Sequence, residues 1–153
     1  MSKREQIAMG EEEVSSFLAE QRVVVCATNG PGGWPHLMPL WYVVRAGELW
    51  AWTYARSQKV RNLERDDRAT LQVETGEQYH ELRGVMLETH AVIHREPEVV
   101  AGAGTEIFER YGGISAGPEA VEAVRAQAAK RVALQFMTER VASWDHGKLG
   151  GAY

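Results

Sequence analysis

A serine two residues ahead of a lysine sits in the stretch "ARSQKVRNLERDD", from Ala55 to Asp67. Read as a helix, the stretch carries Arg56, Lys59 and Arg61 in its first turns and Glu64, Asp66 and Asp67 at its end. A helix is partially positive at its start and partially negative at its end, so these charges run backwards. Each misplaced cation costs about 0.3–1 kcal/mol at low salt. Ser57 is a good N-cap, and the N–H groups just after it lack partners inside the helix. Free N–H groups, a hydroxyl and flanking cations together make a seat for a phosphate. A bound oxyanion turns each misplaced cation into a charge-assisted hydrogen-bond donor. Lys59 is the expected phosphate contact, with Arg56 assisting. The plain alternative is a set of solvated side chains screened by salt.

The elements that must position this helix start are legible on both sides. "GEEEVSSFLAEQ" spaces Val14, Phe17 and Leu18 for a short amphipathic helix behind an acidic first turn. "RVVVCAT" is a β-branched run and predicts a buried strand, ended by the turn-rich "NGPGGWP". "HLMPLWYVV" predicts one strand, "RAGE" a turn and "LWAWTYA" the return, a meander of three consecutive strands. "LWAWTYA" delivers the chain straight into the reversed helix, with Trp50 and Trp52 on one side. Met38 and Leu40 share a face of the preceding strand, with Trp41 opposite. Pro39 cannot donate to a ladder, which points to an edge, a bulge or a strand facing a ligand.

Further on, "RATLQVET" is a strand, and Tyr79–Arg95 a long one with Val85, Leu87, Ala91 and Ile93 on one face. From Pro97 to Arg131 the pattern is helical, broken by "YGGISAGP", with Pro118 suited to a first turn. "RVALQFMTERVASW" closes as a strand. The class is therefore α+β on an antiparallel sheet or barrel, a single domain over residues 1–153.

Several chemistries drop out. A net charge of -4 gives no electrostatic reason to expect nucleic acid. No stretch approaches membrane-spanning length, "MSKREQIAMGEEEV" holds no apolar run resembling a signal peptide, and a reduced cytoplasmic setting is the default expectation. The single cysteine, Cys26, reads as a small buried hydrophobe. His90 and His94 lie about 13 Å apart along a strand, too far to share one metal ion. "AGAGTEIF" lacks the third glycine and the leading strand of a dinucleotide fingerprint. Asp145 and His146 are side by side, and a local structural pair is the better reading than a catalytic one.

Taken in order, "GGWPHLMPLWYV", "GELWAWTYARSQKVRNLERDDRATLQVE", "YHELRGVMLETHAVI" and "SWDHGKLGG" resemble the pyridoxamine-phosphate-oxidase-like split-barrel flavoproteins. Within them the chain is most similar to the branch that uses the deazaflavin coenzyme F420. "SQKVRNLERDDR" is the most specific element, followed by "ELRGV". The resemblance implies a six-stranded antiparallel split β-barrel flanked by helices, working as a homodimer with two cofactor sites at the subunit interface. It further implies that the strand His36, Leu37, Met38, Pro39, Leu40 and Trp41 lines the ring. Trp52 and Thr53 approach the ring or ribityl chain, and Ser57, Gln58 and Lys59 hold the phosphate. Trp144 and Lys148 close the site, from the same or the other subunit. The ending "DHGKLGGAY" lacks the arginine-rich substrate motif of members that oxidise pyridoxamine phosphate, which argues against vitamin B6 chemistry.

The function so implied is an oxidoreductase that passes hydride from reduced coenzyme F420 to a small electron-poor acceptor. An FMN-dependent oxidoreductase, a non-catalytic flavin or deazaflavin carrier, and a haem-associated binding protein are the alternatives. No residue must be the proton donor; His36 and Tyr54 are candidates.

Overall fold

The structure is a computed structural model that describes residues 1–151, so the last two positions of the single-domain expectation lie outside the described residues. Two short helices, α1 (Lys3–Ile7) and α2 (Glu11–Glu20), lead into β1 (Val24–Asn29) and β2 (Pro35–Leu40). Then come β3 (Val43–Arg45), β4 (Glu48–Tyr54), α3 (Gln58–Arg65), β5 (Arg68–Thr75) and β6 (Arg83–His94). Helices α4 (Pro97–Gly112) and α5 (Pro118–Ala128) precede the long final strand β7 (Arg131–Asp145). No helix among the described residues is long and apolar enough to cross a membrane.

All strands join one antiparallel sheet in the order β2-β1-β5-β6-β7-β4-β3. The strands number seven rather than six, because "HLMPLWYVV" is not one strand. It breaks at Trp41–Tyr42, and the expected three-strand meander becomes two hairpins, β1–β2 and β3–β4, on opposite edges of the sheet. The break has a physical cause. Tyr42 turns into the core, its hydroxyl donates to the Leu18 carbonyl at 2.6 Å, and its N–H leaves the ladder for the Tyr111 hydroxyl at 2.9 Å. Pro39 sits on an edge strand, paired only with Val25 of β1, where its missing N–H costs no ladder bond.

The two edges are thus joined by only Trp41 and Tyr42. Three peptide steps from Leu40 to Val43 span at most about 11 Å, so the sheet must curl until its ends nearly meet. It does not close. β3 pairs only with Glu48–Trp50, which leaves the second half of β4 without a neighbour on that side. The barrel is therefore split between β2 and the Ala51–Tyr54 half of β4.

Alternate positions of each strand fill the interior: Val24 and Cys26, Leu49 and Ala51, Leu71 and Val73, Val85 and Leu87, Leu134 and Phe136. Phe17 and Leu18 of α2 cover the barrel near Arg83, and Val60 and Leu63 of α3 cover it near Arg95. On the outer side of β4, Trp50 and Trp52 pack against Val100, Ala101 and Ala103 of α4. The orphaned carbonyls at the end of α2 are met from a distance by Arg110, which donates to Ala19 and Gln21.

Candidate cofactor site

Helix α3 lies at the split and bridges it. Its Lys59 Nζ donates to Thr53 Oγ1 of β4 at 3.1 Å, and Asn62 Nδ2, one turn later, donates to Thr28 Oγ1 of β1 at 3.0 Å. Both bonds are buried. The spacing i, i+3 puts the two side chains on one helix face, so one helix ties β4, on one side of the opening, to β1, one strand in from the other side.

Lys59 is the unusual member. It is only 7% exposed, and no carboxylate of the described residues lies within ion-pair distance of it. Burial pulls its pKa below the ordinary lysine value. Cys26 lies close by, its thiol pushed up to about 11 by burial, so it stays neutral and supplies no counter-charge. The solvated-side-chain reading therefore fails for Lys59, while Arg56 and Arg61 are exposed as that reading requires.

Ser57 occupies the N-cap position with extended φ and ψ, but its side chain makes no capping bond. Its Oγ is buried without a hydrogen-bond partner. A second such atom is His36 Nδ1 on β2. His36 stands opposite Thr28 in the ladder, and directly opposed residues share a face, so it looks toward the same side as the Thr28–Asn62 bond. Met38, opposite Cys26, and Leu40, opposite Val24, continue that face. Gln58 turns its side chain back along the helix, donating to Asn62 Oδ1 at 2.8 Å. The acids at the helix end all have basic partners: Glu64 with Arg95, Asp66 with Arg68, Asp67 with His90. The Arg68 guanidinium and then the Asn29 amide hold the Asp66 carboxyl well below the usual range.

The mouth of the split is a cleft of about 390 Å³ lined by Pro39, Leu40, Trp41, Trp52, Thr53 and Tyr54, with Ile107 and Arg131 behind. Five of the expected cofactor contacts, Pro39, Leu40, Trp41, Trp52 and Thr53, therefore meet in one place, together with the proton-donor candidate Tyr54. Trp41 is 57% exposed yet fixed, its ring stacked on Tyr111 with centroids 4.4 Å apart. A cleft of this size, walled by aromatic and aliphatic side chains with a few polar groups, falls in the range of small-molecule and cofactor sites.

Trp144 and Lys148 are not brought to this cleft within the chain. β7 begins at Arg131, opposite Tyr54, and Trp144 lies thirteen residues on, about 40 Å of strand contour away. Trp144 packs over Gly84 of β6, where an added Cβ would come 2.1 Å from the indole. Lys148 Nζ donates to the Ala8 carbonyl and to Glu13 Oε2. Asp145 caps the following turn through Gly147 N–H and lies 3.3 Å from Arg83 Nε, a local role. His90 and His94 take separate partners, His90 between Asp67 and Glu139, His94 stacked on Trp50.

The sequence profile of the family described as pyridoxamine 5'-phosphate oxidase matches residues 11–145. The chain belongs to the pyridoxamine 5'-phosphate oxidase family. A conserved hypothetical protein from Mycobacterium tuberculosis is 40% identical over all of this chain and 95% of its own, with a TM-score of 0.91. A protein described as an F420 reductase is 20% identical and shares the fold, with a TM-score of 0.68 over 86% of this chain and 98% of that one. The haem storage protein HutZ from Vibrio cholerae, 18% identical, shares it at 0.67 over 86% and 92%. No curated protein matches.

For this member of the pyridoxamine 5'-phosphate oxidase family, sequence reading missed Thr28, Asn62 and Arg131. Asn62 lies inside the motif "SQKVRNLERDDR", and its spacing from Lys59 was the available signal. Arg131 has none, because its neighbours Trp52 and Tyr54 reach it only through the pairing of β4 with β7.

Proposed function

We propose that this chain is a reductase that uses the deazaflavin coenzyme F420 and passes hydride to a small electron-poor acceptor, acting as a homodimer. The observation that carries the reading is the buried, uncompensated Lys59 ammonium beside the partnerless Ser57 Oγ at the start of α3. A buried cation without a counter-charge is costly, and a buried hydroxyl without a partner adds to the cost. A phosphate seated there would offset both, accepting from Lys59, from Ser57 and from the free N–H groups of the first turn, with Arg56 at the rim. Gln58, turned along the helix, contributes through its main chain.

In this reading His36, Met38 and Leu40 lie under the ring, Pro39 and Trp41 border it, and Trp52 and Thr53 flank the chain between ring and phosphate. When bound, the deazaflavin supplies a hydride from its central ring. The protein's own part is to hold the ring face toward the cleft mouth, keep water from its other face and fix the acceptor against it. The fold shared with an F420 reductase supports the reading. Trp144 and Lys148 can reach such a site only from a second copy, which supports a symmetric dimer. Leu37, Val92 and Met137, exposed on the sheet, are suited to that contact.

Fluorescence titration with coenzyme F420 and with FMN tests the proposal. The expected result is binding of the deazaflavin at least tenfold tighter than FMN, with transfer of hydride from its reduced form to activated alkenes or quinones. Tighter binding of FMN would make this an FMN enzyme. Binding without turnover across a broad acceptor panel would leave a carrier.

A further inference from the structure

The cleft at the mouth of the split does not end at Trp52. A second hollow of about 440 Å³ continues beneath α4 and α5, sharing Trp41, Trp52, Ile107 and Arg131 with the first. Its walls are apolar, with Phe108, Val124 and the small Gly104, Ala120 and Ala123 on the two helices. Gly104 is required there, because a Cβ at that position would stand 2.4 Å from the Trp52 ring. Among the described residues, two polar side chains line it, Gln127 and Arg131.

Arg131 is a built feature. Its guanidinium carbon lies 4.6 Å from the Trp52 ring centroid and 4.2 Å from that of Tyr54, so two aromatic faces hold the cation. Nη1 is anchored to Gln127 Oε1 at 2.7 Å. No carboxylate among the described residues pairs with it, although acids elsewhere on the surface pair with Arg45, Arg68, Arg125 and Arg140. The remaining guanidinium edge can take a carboxylate or sulfonate in the two-pronged manner arginine favours.

We propose that this hollow is a second binding site, separate from the phosphate seat at α3, for a flat apolar molecule carrying one anionic group that docks on Arg131. In the oxidoreductase reading, on which this part rests, the occupant is the hydride acceptor. Binding alone can be measured without any cofactor, so the two readings fail separately.

The test is quenching of tryptophan fluorescence by anthraquinone-2-sulfonate and by its neutral counterpart 2-(hydroxymethyl)anthraquinone, on the cofactor-free protein. The sulfonate is expected to bind at least tenfold more tightly than the neutral probe. Arg131→Gln should remove that preference and leave the neutral probe unchanged. Ala123→Trp, which fills the hollow from an exposed helix position, should abolish binding of both. Lys59→Ala should change neither. Equal affinities in the wild type, or a sulfonate preference that survives Arg131→Gln, overturns the anion site. Binding that survives Ala123→Trp overturns the location. Loss of sulfonate binding in Lys59→Ala would assign the probe to the phosphate seat instead.

Discussion

The Lys59 ammonium donates to the Thr53 hydroxyl at 3.1 Å in a setting from which carboxylates are absent among the described residues. A cation placed so is a liability to the free protein and an asset to a complex with an anion. Lys59→Ala should weaken cofactor binding by about 1.5–3 kcal/mol, the range of a charged hydrogen bond. Lys59→Met should raise the melting temperature of the free protein, because it removes a desolvated charge. Melting curves with and without cofactor check both; a variant less stable than wild type and unchanged in affinity would remove Lys59 from the phosphate role.

The same residue fixes a pH dependence. Burial lowers its folded-state pKa below the ordinary 10.5. Between those two values the unfolded chain holds more protons than the folded one, so stability rises with pH across that window. The deficit of wild type against Lys59→Met should therefore shrink as the solution becomes alkaline. Cofactor affinity should move the other way, falling as Lys59 loses its proton. Titrations between neutral pH and about pH 10.5 read both slopes.

His90 has the opposite sign. Hydrogen bonds to Asp67 first, and then to Glu139, raise its pKa above the ordinary 6.5. Both ring nitrogens face carboxylates, so both bonds require the imidazolium. Its contribution is complete below pH 6.5 and is lost as pH rises through the raised value. Wild type should exceed His90→Ala in stability at pH 6 and converge with it in mildly alkaline solution; a constant gap across that range would count against the pairing.

Gly104 and the Trp52 ring are in contact too close to admit a side chain. Gly104→Ala should cost about 1–3 kcal/mol through displacement of the indole, read as a lower urea midpoint. An unchanged midpoint would mean that α4 shifts freely over β4.

Subunit mixing tests the proposed sharing of the site between two copies. Lys59→Ala and Trp144→Ala should each bind cofactor poorly alone. Random exchange between them makes half the dimers mixed, each with one intact site, so about a quarter of wild-type capacity should return. No recovery would place both residues in the same subunit's site or put Trp144 outside it.

The helix start at Ser57 was readable because its anomaly is local, cations where a helix wants anions. The strands around it were readable because their side chains alternate. The break at Trp41–Tyr42 was not, since it depends on Tyr111, 69 residues away, supplying the acceptor that draws Tyr42 from the ladder. Likewise Asn62 and Thr28 meet only once α3 lies over β1, and Arg131 gains its aromatic bracket only through β4–β7 pairing. The motif on the helix was visible; what faced it was a property of topology.

The short link through Trp41 and Tyr42 acts as a clasp on the barrel. Both edges are fastened to it, and Tyr42 is tied to the end of α2 by its hydroxyl contacts with the Leu18 and Gln21 carbonyls. A flat ring of the kind proposed would then enter edge-on, like a card into a slot. On the cofactor proposal, thickness rather than length or breadth is the dimension on which such an opening would select.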